Sequence, residues 1–151
     1  MTFRTALEID RPALADLLQR ASLSTDDLPT ELSTFLLAHD DENRLIGAAG
    51  IEPIGEVGLL RSVAVSPEHR GQYIGQTLVD GLVQAAQHNG LTHLYLLTTT
   101  ADSYFNRLGF ERIERDTVPE AVRQTPQFSL ICPDSAVAMK LDLHHEVYDE
   151  A

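Results

Sequence analysis

Residues Val63–Gly75 read V-A-V-S-P-E-H-R-G-Q-Y-I-G, and their types and order suit phosphate binding. An apolar run ends at Ser66-Pro67, a polar turn carries Arg70-Gly71, and Gly75 opens an amphipathic segment. A glycine-containing loop entering a helix N-terminus gathers backbone N–H groups that lack intrahelical acceptors. Their partial positive charge suits a phosphate or pyrophosphate. A plain strand-to-helix connection gives the same glycines, so the loop alone says no more than that. Arg61 stands in the otherwise apolar run L-L-R-S-V-A-V, on the alternating face of Leu59 and Val63. A cation there must be paired or line a wet cleft. It either forks onto a ligand carboxylate or pairs with an acid such as Glu52 or Glu56. Thr98, Thr99 and Thr100 put hydroxyls at the C-terminal end of a later apolar run, where ligands sit in open sheets. Threonine is also simply a good strand residue.

The elements that must position these groups follow from periodicity. Thr2–Ala6 reads as an edge strand. Asp10 caps a helix over about residues 11–21, with Pro12 in its first turn and Leu14, Leu17, Leu18 and Ala21 on one face. Ser22–Thr34 is ambiguous, and Thr25-Asp26-Asp27 could cap a second short helix. Phe35–His39 and Leu45–Ile51 flank the polar turn Asp40–Arg44 as a hairpin, and Val57–Val65 is the next strand. The helix from Gly75 stacks Leu78, Leu82 and Ala86 and stops at Asn89-Gly90. His93–Thr98 is then a strand parallel to Val57–Val65, because a crossover helix joins them. A short helix at Ala101–Leu108, a strand at Phe110–Glu114, a helical turn at Val118–Gln124 and a strand at Ser135–Leu143 complete the chain. The order is α+β, a mixed sheet with helices on both faces.

Composition bounds the rest. The chain of 151 residues fits one domain over residues 1–143, with a polar tail over 144–151. No tract is long enough to span a bilayer and the N-terminus lacks a signal-peptide core, which together predict a cytoplasmic protein. Cys132 is the only cysteine, excluding an internal disulfide, and reads as a small buried hydrophobe. Twenty-three acids against eleven bases give a net charge of −12, a surface that repels nucleic acid and anionic membranes. Lys140 is the only lysine. That balance fits a high-salt cytoplasm or, equally, an arginine-preferring genome. His39, His69, His88 and His93 fall at strand ends, in the loop or on a helix surface and carry no catalytic expectation. His144 and His145, with Asp142 and Glu146, read as solvated rather than as a metal site.

The segment Leu60–Gly75, taken with N-R-L-G-F at Asn106–Phe110, resembles the GNAT superfamily of N-acetyltransferases, and the element order agrees over nearly the whole chain. The resemblance implies a GNAT fold: a central sheet of six to seven strands, mostly antiparallel, with a splayed parallel pair. It implies acetyl-CoA as cosubstrate and no metal. The pyrophosphate would rest on the loop Arg70, Gly71, Gln72, Tyr73, Ile74 and Gly75, helped by Gln76. Pantetheine would pair with Val63, Ala64 and Val65, and Asn106 of the second motif joins the cofactor side. Two positions depart from the family. Its central loop glycine is Tyr73 here, which must send its ring away from the pyrophosphate. Its thiolate-protonating tyrosine is Phe105 here. The neighbouring Tyr104 lies about 100° around the helix, so Tyr104 or a water is the acid, or the thiolate leaves unassisted.

Y-L-L-T-T-T-A at Tyr95–Ala101 and the stretch Val118–Ala136 are similar to the acetyltransferases of arsenic-resistance operons. More distantly they resemble the acetyltransferase part of N-acetylglutamate synthases. Both imply a small amino-acid-like acceptor with a free amine and carboxylate. Arg61, Thr98, Thr99 and Arg123 are then acceptor-side candidates, as is Gln127. A base must take a proton from the ammonium, directly or through water. Glu56 is the first candidate and Glu52 the second. The expected partners are the amine alone, with no nucleic acid or membrane, in a monomer or homodimer. The competing readings are a non-catalytic acetyl-CoA sensor and a ligand-free, sheet-mediated dimer.

Overall fold

The computed structural model describes residues 1–128 and 136–143. Among them the order is β1 (Thr2–Thr5), α1 (Arg11–Arg20), β2 (Phe35–His39), β3 (Leu45–Ile54), β4 (Val57–Val65), α2 (Ile74–His88), β5 (His93–Thr98), α3 (Asp102–Arg107), β6 (Glu111–Ile113), α4 (Glu120–Arg123) and β7 (Val137–Asp142). The seven strands form one sheet in the order β1-β2-β3-β4-β5-β7-β6. β1 with β2, β2 with β3, β5 with β7 and β6 with β7 run antiparallel. β4 and β5, joined through α2, run parallel, with Val57–Leu59 registered against His93–Tyr95. The mixed α+β sheet is the expected one. The described residues make two compact units, Met1–Glu52 with Leu60–Leu82, and Pro53–Leu59 with those from Val83 onward.

In the first unit the β2–β3 hairpin closes through the Asp40 carboxylate, which accepts from the amides of Glu42 (3.0 Å) and Arg44 (2.8 Å). Leu14, Leu17 and Leu18 of α1 pack with Phe35, Leu37, Ala48 and Ala64 in one apolar cluster. Gly50 faces Phe35 across the hairpin, and a Cβ there would meet the ring at 2.6 Å. Only glycine leaves room for the phenyl group.

Two expectations change here. Asp10 stands at the N-cap position of α1, but its side chain makes no cap hydrogen bond there. Its carboxylate turns back to accept from the Leu7 amide (2.7 Å) and from both terminal nitrogens of Arg4 (2.8 and 2.7 Å). An arginine fork outcompetes a single backbone amide for one carboxylate. Ser22–Thr34 forms turns rather than a helix, with the Asp26 amide spent on Ser24 Oγ (3.3 Å).

In the second unit Leu59, Tyr95, Val118, Val122, Phe128 and Ala138 form a separate cluster. Gly90, at φ 83, carries the chain out of α2 while Leu91 N donates to Ala86 O (3.0 Å). On β7, Asp142 Oδ1 lies 3.2 Å from His93 Nε2 and 3.6 Å from Lys140 Nζ. Cys132, the first part of the expected last strand, and the tail with His144, His145 and Glu146 lie outside the described residues.

Candidate functional site

The phosphate-type loop is built from the end of β4. The Ser66 amide donates to Ile46 O (2.8 Å), tying the strand end to β3. Pro67–His69 makes one tight helical turn, closed by His69 N on Ser66 O (3.0 Å), with Ser66 Oγ and His69 Nδ1 2.8 Å apart. The exposed Glu68 carboxyl sits below its ordinary range, first because its own backbone amide donates to it and then through Ser66. Arg70 is extended and its Nε donates to Val65 O at 3.4 Å, turning the guanidinium back over the strand end.

Gly71 at φ 85 and Tyr73 at φ 62 then reverse the chain into α2. The Tyr73 carbonyl accepts from Thr77 N (3.0 Å) and Thr77 Oγ1 (2.9 Å), so Tyr73 opens the helix. Ile74, Gly75 and Gln76 carry the first helical amides, which have no carbonyl one turn back. Among the described residues, no amide from Gly71 to Gly75 donates to a protein acceptor. Tyr73 thus takes the left-handed conformation a glycine would take, at a cost of about 1–3 kcal/mol. The residue stands 75% exposed. Of the preceding strand residues, Ala64 is in the core and Val63 and Val65 are half-buried.

Arg61 is the most heavily bonded side chain of this unit. Its Nη2 donates to Asp27 Oδ1 (2.8 Å), Nη1 to Asp27 O (3.2 Å) and Glu52 Oε1 (3.2 Å), and Nε to Ser62 Oγ (3.1 Å). The arginine is 1% exposed, Asp27 6% and Glu52 31%. Of the two possibilities the sequence left open, an ion pair with Glu52 is present, joined by Asp27. Ser62 itself sits at φ 58 inside β4, a left-handed backbone that a non-glycine residue rarely takes. The simple alternation from Leu59 through Arg61 to Val63 is interrupted there. Sequence reasoning missed Asp27 and the Ser62 break. The first had a signal, since a buried arginine demands acids, but not an address. Serine gives no hint of a positive φ.

The remaining candidates fall in the second unit. Glu56 is exposed in the β3–β4 turn, and its carbonyl accepts from Thr92 N (2.7 Å) and Thr92 Oγ1 (3.2 Å). Thr98 Oγ1 accepts from Ala101 N (3.0 Å), shaping the entry to α3, while Thr99 and Thr100 are exposed beyond β5. Phe105 is buried edge-on to Phe110, and Tyr104, one position round α3, meets Phe105 edge-on and lies under the Arg107 guanidinium at 5.9 Å. Asn106 Nδ2 donates to Phe110 O (3.1 Å), so one end of its amide serves the α3–β6 turn. Arg123 is exposed with Nε on Val118 O (3.0 Å), and Gln127 is half-buried. Among the described residues no three His, Cys, Asp or Glu side chains converge as a metal ion would need, and no helix is long and apolar enough to cross a membrane.

Comparison with known proteins agrees with this sheet. The model of the acetyltransferase (GNAT) family matches residues 4–110, and the chain belongs to that family. The amino-acid acetyltransferase of Escherichia coli K12 is 31% identical over 103 residues, covering 67% of this chain and 23% of that protein. The chain therefore spans about a quarter of the length of that curated relative. N-acetylglutamate synthase from Neisseria gonorrhoeae, solved with coenzyme A and N-acetyl-glutamate, superposes with a TM-score of 0.82 at 24% identity, over 95% of this chain and 35% of that one. A GNAT acetyltransferase from Staphylococcus aureus Mu50 gives 0.79 at 17% identity, over 95% and 99%.

Proposed function

We propose that this acetyltransferase transfers the acetyl group of acetyl-CoA to the amine of a small amino-acid-like acceptor. The observation that carries the reading is the loop Arg70–Gln76, where two left-handed residues aim a run of unengaged amides from the start of a helix. Those amides hold the pyrophosphate, with Arg70 at the rim. The backbone of Val63, Ala64 and Val65 pairs with the pantetheine amides as an added strand would. The acceptor nitrogen, having lost a proton to a carboxylate or to water, attacks the thioester carbonyl carbon, and the Val63 amide stabilises the oxygen as it gains charge. The C–S bond then breaks, and the thiolate takes a proton from Tyr104 or water to leave as free coenzyme A.

On the acceptor side, Thr99 and Arg123 present exposed polar groups and Thr98 shapes the turn from β5 into α3. The similarity to the amino-acid acetyltransferase of Escherichia coli supports an amino acid as acceptor. Phosphinic and arsinic analogues of glutamate carry the same amine and acid, which keeps a detoxifying role within this reading.

Isothermal titration with acetyl-CoA and thiol release over a panel of amino acids and these analogues test it. Saturable binding, abolished by Gly75→Glu, and turnover with at least one amine are expected. Gly75→Glu puts an anion among the phosphate-binding amides. Binding without turnover of any amine would identify a sensor instead.

A further inference from the structure

An arginine that forks onto a substrate carboxylate needs both terminal nitrogens available. Those of Arg61 are taken, one by Asp27 Oδ1 and the other shared between Asp27 O and Glu52 Oε1, and the side chain is 1% exposed. Glu52 is differently placed. Only its Oε1 is held, and with 31% of the side chain exposed its Oε2 is open to a further donor. The same guanidinium grips Ser62 Oγ through Nε. The carboxylate of Glu52 therefore lies one guanidinium away from the residue that immediately precedes Val63.

We propose that Glu52 receives the acceptor's ammonium, and that Arg61 is a positioning residue that holds Glu52 and the left-handed Ser62 rather than a ligand for the acceptor. The proposal rests on the acetyltransferase reading above, which puts the reacting carbonyl at the Val63 amide. A carboxylate fixed through one oxygen binds an ammonium through the other with a charge-assisted hydrogen bond. The rigid fork of Arg61 fixes where that oxygen points. The device selects cationic amines over alcohols and thiols of the same shape.

Thiol release with L-glutamate and its phosphinic analogue, on the full chain, tests this through Glu52→Gln and Glu52→Asp. Glu52→Gln keeps the shape and should raise the acceptor KM roughly tenfold to hundredfold. Acetyl-CoA affinity by titration and the melting temperature should stay at wild-type values, and Glu52→Asp should recover part of the loss. An unchanged acceptor KM in Glu52→Gln overturns the proposal, as does a parallel fall in acetyl-CoA affinity and melting temperature, which marks a structural role.

Arg61→Gln separates positioning from direct contact. Blocking the acceptor's α-carboxylate as its amide should then change KM by the same factor in wild type and in Arg61→Gln. A factor lost only in Arg61→Gln would make the arginine a ligand and overturn its assigned part. Wild-type turnover with an unaffected Glu52→Gln defeats this inference alone. A wild-type chain that binds acetyl-CoA and acetylates no amine of the panel defeats the acetyltransferase reading together with it.

Discussion

Ser62 in β4 and Tyr73 in the loop have nearly the same left-handed backbone, at φ 58 and φ 62, yet they are held by opposite means. Ser62 is gripped from the side by Arg61, whose own anchors, Asp27 and Glu52, come from distant parts of the chain. Tyr73 has an exposed ring and is held from below, by a carbonyl that starts α2. The strain in the strand is thus supported by tertiary contacts, and the strain in the loop by local helix initiation. The first should be inseparable from folding, and the second should be removable without harm.

The largest effect should come from breaking the strand's support. Arg61→Met removes the buried cation that Asp27 and Glu52 share, and should lower stability by about 3–5 kcal/mol. Urea unfolding midpoints measure this, and a loss under 1 kcal/mol would mean the network behaves as a surface pair. Tyr73→Gly should act in the other direction. It relieves an unfavourable backbone and should raise stability by about 1 kcal/mol, with acetyl-CoA affinity retained because the same amides remain. If this variant instead unfolds earlier, the loop is supported through the ring, and the contrast with Ser62 collapses.

The smallest effect concerns pH, and it sharpens the contrast by adding a buried ring nitrogen that no donor or acceptor satisfies. Among the described residues, His39 Nδ1 is a buried nitrogen without a hydrogen-bond partner. Burial, with Arg4 nearby, holds the imidazole below its ordinary value of 6.5, against the opposing pull of Asp10 and Asp40. The folded state thus favours neutral His39. Stability should be full above pH 6.5 and decline as pH falls through that value towards the lower folded one. His39→Leu should flatten this step in calorimetric melting between pH 7 and pH 5. A second loss should remain at lower pH, between 3.8 and about 2, where Asp10 gives up its bond to Arg4. An unchanged step in His39→Leu would place the titrating group elsewhere.

Much of the fold was legible because punctuation and periodicity agreed. The bounds of β4 and β5 coincide with the expected ones, since Gly55, Ser66-Pro67 and Gly90 mark the chain where the apolar runs stop. The loop was legible for the same local reason. What escaped was long-range or unsignalled. Nothing in Thr25-Asp26-Asp27 distinguishes a helix cap from the partner of an arginine 34 residues away. Asp10 has the right type and place for a cap, and loses that role to Arg4, whose approach only the sheet edge creates. The positive φ of Ser62 was invisible because a serine normally avoids it, and only the contacts around Arg61 explain its persistence.

Lys140 has a consequence for handling as well as for folding. On the proposed function, an activated acyl thioester held by the protein would expose surface amines to stray acylation, and most proteins offer many lysines. This chain offers one lysine, and its Nζ is drawn towards Asp142 on β7. Stray acylation of lysine is therefore limited to a single defined position. An amine-directed dye meets that one lysine and the Met1 α-amine alone, so labelling leaves the loop from Arg70 to Gln76, which holds no lysine, chemically untouched.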